Sequence, residues 1–112
     1  MSLEIKVNEV NEVVVISLIG NLESNTAPEA EAEINKWMEI QTKKMVVDLE
    51  EAKYVSSAGL RVFITTMKKM KAIGGAVKFC SPNEVVKKIL DISGFSTILD
   101  VKASQEEAIN DL

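Results

Sequence analysis

The feature that most constrains this chain is a strand–loop–helix pattern over residues 46–63. The segment Val46–Leu49 is a short, largely β-branched apolar run interrupted by one acid, Asp48, which is typical of a buried strand. A helix is predicted after it, because apolar residues recur at the i, i+3, i+4, i+7 and i+10 positions of one face: Leu60, Phe63, Ile64, Met67 and Met70. A buried strand that leads into a helix is a unit of an α/β fold.

Two serines stand at the start of this helix. We predict Ser57 as its N-cap and Ser56 as the alternative, because a serine oxygen accepts hydrogen bonds from the free N–H groups of a first turn. Three other predicted helix starts carry a glutamate three residues later, as in a capping box: Thr26–Glu29, Ser81–Glu84 and Ser104–Glu107. The start at Ser57 has no such acid, so its N–H groups are available to an anion. An ordinary cap on a packed helix is the alternative interpretation.

Strand and helix patterns alternate along the rest of the chain. Apolar and polar residues alternate from Leu3 to Val7, a turn is predicted at Asn8–Asn11, and the apolar run Val13–Ile19 is expected to pair antiparallel with the first strand and to end at Gly20. Further strands are predicted at residues 76–80 and near 97–101, and helices from Thr26, Ser81 and Ser104. The order predicts a single α/β domain over residues 1–112, with a mixed sheet of four to five strands and about four helices.

Composition narrows the class of function. The chain has no histidine and a formal net charge of −4. Without histidine there is no Ser-His-Asp or Cys-His catalytic unit, and Asp48 has no partner acid at a metal-ligand spacing, so we expect no enzyme activity, no metal and no cofactor. Asp48 is expected either to bond beside the Ser57 loop or simply to structure its own loop. An acidic chain is also not expected to bind nucleic acid directly.

The location of the protein is predicted from its cysteine and its apolar runs. The one cysteine, Cys80, cannot form an internal disulfide and is expected to line the core as a small apolar residue. No apolar run approaches the ~18 residues that a membrane-spanning helix needs. We therefore expect a cytoplasmic protein without a membrane span.

The central stretch resembles the signature of a known family. Asp48-Leu49, followed by the residues from Tyr54 to Leu60, is similar to the signature of the STAS domain of bacterial anti-sigma factor antagonists. The segment Gly20–Glu23, followed by Thr26–Pro28, resembles that family's Gly-Glu-Leu-Asp segment and the helix after it. The similarity covers nearly the whole chain, from about Glu4 to Ala108.

The resemblance implies a binding protein that is switched by phosphorylation. In the family, the serine that matches Ser57 is phosphorylated by a kinase that is also the anti-sigma factor, and a serine phosphatase resets the switch. The unphosphorylated form sequesters this kinase and so regulates transcription. Ser56 stands where the family often has Asp, so it remains the alternative acceptor. We expect partner contacts from both segments: Glu23, Ser24, Asn25, Thr26, Ser56, Ser57, Ala58, Gly59 and Arg61.

Two other classes of function are open at this point. An unregulated STAS scaffold subunit of a transporter or stress-signalling complex would bind its partner whatever the chemistry of Ser57. A serine hydrolase would need a nucleophile elbow, but Val55 occupies the position of the first glycine and no histidine can act as the base.

Overall fold

The computed structural model describes residues 3–112, which form one mixed sheet flanked by helices. Strands and helices alternate after an opening hairpin, so the predicted α/β class is confirmed. The strands are β1 (Leu3–Val10), β2 (Val13–Leu22), β3 (Lys44–Asp48), β4 (Ala52–Val55), β5 (Ala76–Cys80) and β6 (Val101–Lys102). The helices are α1 (Ala27–Glu39), α2 (Ser57–Ala72), α3 (Glu84–Ile92) and α4 (Gln105–Asn110), with a single 3₁₀ turn at Phe95–Thr97.

The sheet is assembled around β2. This strand pairs antiparallel with β1 on one edge and parallel with β3 on the other, where Ile16 lies opposite Val47. Further along, β4 takes the place of β3, so that Leu22 lies opposite Val55. Parallel strands β5 and β6 extend the sheet beyond β3, in the order β1-β2-β3-β5-β6.

The predicted end of the second strand at Gly20 is wrong, because β2 continues to Leu22. Gly20 has a φ of 115°, a backbone conformation that side chains disfavour. The pairing with β4 also shifts register between Gly20 and Asn21, as at a β-bulge. This irregularity allows β2 to continue past β3 and to pair with β4.

The two faces of the sheet bury separate apolar layers. Neighbouring residues of a strand point to opposite faces, so Ile16 of β2 packs in the larger core and Val15 in the smaller one. The larger core lies under α1, α2 and α3, and it includes the fully buried rings of Phe63 and Phe79, whose centroids are 4.9 Å apart. The smaller core is covered by Ala108 of α4.

Polar contacts hold the short helix α4 against the sheet. Gln105 donates a hydrogen bond to the Asp48 carboxylate at 2.7 Å. Two lysines of the sheet and two aspartates form a cluster at the end of α4: Lys78, Lys102, Asp100 and Asp111. The hydrogen bond from Lys78 lowers the pKa of Asp100. These contacts complement the small apolar area that a helix of six residues can bury.

The start of the third helix differs from the sequence prediction, because a side chain other than that of Ser81 caps its first turn. The third helix begins at Glu84 rather than Ser81, because the Asn83 oxygen accepts a hydrogen bond from the Val86 N–H at 2.9 Å. Ser81 lies outside the helix with a φ of 59°. The start at Ser104 is confirmed, since its oxygen accepts from the Glu107 N–H at 3.1 Å.

Within residues 3–112 the sheet has six strands, one more than the upper number predicted. The additional strand is β4, which the sequence pattern indicated as loop and which is only four residues long. The last strand, predicted near residues 97–101, is the two-residue β6 at Val101–Lys102. The first residue of the predicted range, Thr97, is instead the last residue of the 3₁₀ turn at Phe95–Thr97.

A two-residue turn at Asn11-Glu12 joins β1 to β2, so the turn predicted at Asn8–Asn11 is misplaced. Val10 pairs with Val13, and the turn residues have φ angles of 51° and 67°. Positive φ at both positions is the mark of a type I′ turn, for which Asn-Gly is the preferred sequence. Asn11 suits this conformation, whereas Glu12 carries a Cβ in the left-handed region.

We expect Glu12→Gly to raise the free energy of unfolding by about 0.5–1 kcal/mol, because glycine adopts a positive φ without the steric penalty. Chemical denaturation would measure the change. The matched control is Glu9→Gly at an exposed strand position, which should lower the free energy of unfolding by about the same amount. A Glu12→Gly protein less stable than the parent would contradict the turn described above.

Candidate functional site

Strands β2 and β4 bring the two predicted site segments together. Leu22 lies opposite Val55, and the Ser56 N–H donates a hydrogen bond to the Leu22 carbonyl at 2.8 Å. The loop at residues 23–26 therefore starts directly beside the N-terminus of α2. In open α/β sheets, the crevice at the carboxyl ends of parallel strands is the usual location of a functional site.

Ser56 is the N-cap of α2, so the preferred prediction of Ser57 is wrong and the alternative is confirmed. The Ser56 side-chain oxygen accepts a hydrogen bond from the Gly59 N–H at 3.4 Å, and its carbonyl accepts from the Leu60 N–H at 2.9 Å. The reason lies in the tertiary structure. Pairing with β2 keeps the chain extended through Val55 and the Ser56 N–H, so helical geometry begins one residue later.

Ser57 is the first residue of α2, and its side chain is exposed. Within residues 3–112 its hydroxyl makes no hydrogen bond, whereas the half-buried Ser56 is engaged as the cap. The first turn contains no acid, as the sequence predicts. The positive end of the helix dipole therefore faces no carboxylate from its own first turn.

Thr26 fixes the shape of the neighbouring loop. Its side chain is 1% exposed, and its hydroxyl accepts from the Glu23 N–H at 2.9 Å while donating to the Asn21 carbonyl at 2.7 Å. Because this hydroxyl is occupied, it does not cap α1, and the predicted capping box with Glu29 is not formed. The loop presents its other residues to solvent, half-buried or exposed: Glu23, Ser24 and Asn25.

Gly59 allows α2 to lie close against the sheet. A Cβ atom built there would lie 2.8 Å from the Leu22 side chain and 2.9 Å from that of Val55, and both of these neighbours are buried. Contacts this short would displace the start of the helix, and Ser57 with it. Gly59 is itself buried, so it serves the site by setting the position of the helix.

An open groove of about 350 Å³ lies between the N-terminal halves of α1 and α2. It is lined by small and apolar side chains from both helices and from the loop: Ser24, Ala27, Pro28, Ala58 and Val62. Two charged residues complete the lining, Glu31 on α1 and Arg61 on α2. The groove thus connects the two segments from which the sequence predicts partner contacts.

Asp48 and Cys80 do not belong to this site. The Asp48 carboxylate accepts hydrogen bonds from the Glu50 N–H at 2.9 Å and from Gln105 at 2.7 Å, so of the two interpretations the structure shows loop structuring. Cys80 is fully buried in the smaller core, and burial raises the pKa of its thiol to about 12. The prediction that Cys80 lines the core is confirmed.

Two residues of the site region were not found by sequence reasoning. Tyr54 is 47% exposed on β4, opposite Asn21 and two residues before Ser56. Exposed aromatic side chains are enriched at protein interfaces, so its proximity to the serine pair was an available signal. Glu31 was missed because only the packing of α1 against α2 brings it across the groove from Arg61.

Metal-binding and membrane-spanning features are not seen in the described part of the chain. Among residues 3–112, no three His, Cys, Asp or Glu side chains are grouped so that they could hold a metal ion. No helix in the same range is long and apolar enough to cross a bilayer. The site offers the exposed hydroxyls of Ser24 and Ser57, the N-terminus of α2, and a groove with one charged residue from each helix.

Comparisons of the sequence identify the family and related proteins. A model of the STAS domain matches residues 4–108. The protein BtrV of Bordetella bronchiseptica is 29% identical over 106 residues, which cover 95% of this chain and 91% of BtrV. An anti-sigma-B factor antagonist of Bacillus subtilis is 26% identical over 109 residues, which cover 97% of this chain and 99% of the relative.

Solved structures share the fold. The anti-sigma factor antagonist SpoIIAA in its unphosphorylated form matches with a TM-score of 0.81 and 23% identity, over 96% of this chain and 95% of that one. Bacillus SpoIIAA in its phosphorylated form matches with a TM-score of 0.74 and 23% identity, over 96% of this chain and 98% of that one. At a sequence identity of 23%, this structural similarity establishes that the chains share a fold.

We expect Gly59→Ala to lower the free energy of unfolding by about 1–2 kcal/mol, because overpacking against Leu22 and Val55 outweighs the usual gain of alanine in a helix. Denaturant titration would measure the loss. Ser57→Ala is the matched control on the exposed side of the same turn, with an expected change within about 0.5 kcal/mol. A stabilised Gly59→Ala protein would contradict the close approach of α2 to the sheet.

Proposed function

The chain belongs to the STAS domain family, and from this we propose that it is an anti-sigma factor antagonist switched by phosphorylation of Ser57. One observation carries the proposal: the exposed Ser57 hydroxyl stands at the start of a helix without an acid in its first turn. In the unphosphorylated state the site binds an anti-sigma factor that is also a serine kinase. Phosphorylation releases this partner, which then inhibits its sigma factor.

Relatives support the class of function. The Bacillus subtilis protein that matches nearly all of this chain is named an anti-sigma-B factor antagonist. An anti-sigma F factor antagonist of Paenibacillus polymyxa matches the whole of it. SpoIIAA has been solved in both an unphosphorylated and a phosphorylated form, so a protein with this fold accommodates the modification.

The position of Ser57 explains how a phosphate could act without disturbing the fold. A phosphoserine adds about −1.5 to −2 charge at pH 7. At a helix N-terminus the dipole favours that charge by roughly 0.3–1 kcal/mol. The repulsive effect therefore falls on the partner, whose complementary surface must accept a bulky, hydrated dianion. Phosphorylation at this position should weaken binding while leaving the stability of the protein nearly unchanged.

Exposure favours Ser57 over Ser56 as the acceptor. The Ser57 side chain is exposed, whereas Ser56 is half-buried and its oxygen caps α2 through the Gly59 N–H. A kinase must surround the hydroxyl that it modifies, and modification of Ser56 would also disturb the cap. Ser57 is the better acceptor, because a kinase can reach its hydroxyl and because its modification leaves the cap in place.

We also propose which partners act on the protein, and that the protein itself has no catalytic activity. The acceptor needs a serine kinase, which is the anti-sigma factor itself, and a serine phosphatase to restore the binding form in the cytoplasm. We propose no enzymatic activity, because the chain has no histidine and the buried Cys80 has a raised pKa. Partner contacts are assigned to loop residues that are at least partly open to solvent and to the start of α2: Glu23, Ser24, Asn25, Ser57, Ala58 and Arg61.

We expect protein purified from its native cells to carry one phosphate on Ser57, because this hydroxyl is accessible at the start of α2. Trypsin cleaves after Lys53 and Arg61, so both serines fall in the single peptide Tyr54–Arg61. Fragmentation of this peptide by mass spectrometry would distinguish the two positions.

The control variants separate the two acceptors. Ser57→Ala should abolish the phosphate, and Ser56→Ala should retain it. A phosphate that persists in Ser57→Ala and disappears in Ser56→Ala would move the site to Ser56. No phosphate on either serine under any growth condition would argue against the switch.

We expect Ser57→Asp to bind the host's anti-sigma factor kinase at least about tenfold more weakly than Ser57→Ala, because a buried, unpaired charge at an interface costs more than the ~1.4 kcal/mol of a tenfold change. Isothermal titration calorimetry with the purified proteins would measure both affinities.

Ser57→Asn is the matched control for this titration, since it has the shape of the aspartate without its charge. Its affinity should stay near that of Ser57→Ala. Equal affinities for the aspartate and asparagine variants would favour the unregulated scaffold interpretation instead.

A further inference from the structure

We propose that Arg61 pairs with the phosphate of phosphorylated Ser57 and thereby turns away from the groove between α1 and α2. The inference rests on the proposed phosphorylation of Ser57 and adds a second element to that switch. Phosphorylation would then change the docking surface in two ways, by adding a dianion at the start of α2 and by withdrawing a cation from the lining of the groove.

The spacing of the two residues places them on one face of α2. Ser57 and Arg61 are four residues apart, and both are exposed. Residues at this spacing have Cβ atoms about 5–6 Å apart. Side chains in a helix tend to lean toward its N-terminus, so an arginine four residues after Ser57 can reach back to a phosphate on that residue. A guanidinium can donate two parallel hydrogen bonds to a phosphate.

Arg61 is available for this contact. Within residues 3–112 its guanidinium makes no ion pair, whereas Lys78 and Lys102 are both held by aspartates. Glu31 lines the same groove from α1, but no ion pair between Glu31 and Arg61 is found in the described part of the chain. No existing ion pair would have to break before the arginine could reach a phosphate.

The surrounding charges make Arg61 the group that would balance the phosphate. The loop before α1 carries Glu23, and the first two turns of α1 carry Glu29 and Glu31. All three are acids that would repel a dianion. Lys53 lies on β4 and not on the helix. In the first two turns of α2, Arg61 is the one basic residue.

The consequence for the groove follows from its lining. In the unmodified protein Arg61 and Glu31 offer one positive and one negative group to a partner. Once Arg61 pairs with the phosphate, Glu31 is left as the charged residue of the groove. A partner that places an acid near Arg61 would lose this contact in addition to meeting the phosphate.

The test is a phosphorus-31 NMR titration of protein with phosphoserine incorporated at position 57 during translation. This preparation needs no kinase, so it tests the pairing independently of the proposed function. We expect the second pKa of the phosphate to lie below its ordinary value of ~6. Arg61→Gln should raise that pKa by about 0.2–0.4 unit, the size expected for one exposed ion pair on a helix.

Two further variants make the result decisive. Arg61→Lys keeps the charge without the planar fork, so its phosphate pKa should lie between those of the parent and Arg61→Gln. Lys68→Gln removes one exposed positive charge further along α2, and it should leave the pKa as in the parent. Equal phosphate pKa values in the parent and in Arg61→Gln would overturn the pairing. That result would leave the phosphorylation itself standing, since mass spectrometry of native protein tests the acceptor separately.

Discussion

The site depends on the pairing of two short strand ends, Leu22 of β2 with Val55 of β4. This pairing, with the hydrogen bond from the Ser56 N–H to the Leu22 carbonyl at 2.8 Å, places the start of α2 beside the loop at residues 23–26. Gly59 completes the arrangement, because any Cβ there would collide with the side chains of Leu22 and Val55. Two segments that are thirty or more residues apart in sequence become one surface as a result.

The adjacent residues Ser56 and Ser57 have different roles. The Ser56 oxygen accepts a hydrogen bond from a free N–H group of the first turn. The exposed Ser57 hydroxyl makes no hydrogen bond within the described residues. A side chain that makes no stabilising contact can be modified without loss of stability. The free helix N-terminus also tolerates the negative charge that a phosphate adds. The same separation explains why a phosphate at this position would regulate a partner and not unfold the protein.

Sequence patterns were sufficient for features that depend on local interactions. The apolar periodicity of α2, the alternation of strands and helices, and the acid-free first turn are all found in the structure. Predictions failed where a distant part of the chain intervened. Strand β4 has four residues and no clear alternation, so only its pairing with β2 identifies it. Thr26 has the sequence of a helix cap, but its buried hydroxyl bonds within the preceding loop instead.

By itself the sequence determined the class of fold, the position of the serine pair at a helix start and the lack of histidine chemistry, because periodicity, capping preference and composition are properties of local sequence. The tertiary structure alone decided which serine caps the helix and which one faces solvent, because β2 holds the chain extended up to Ser56. It also decided that Glu31 and Arg61 line one groove, since that depends on how α1 and α2 pack on the same face of the sheet.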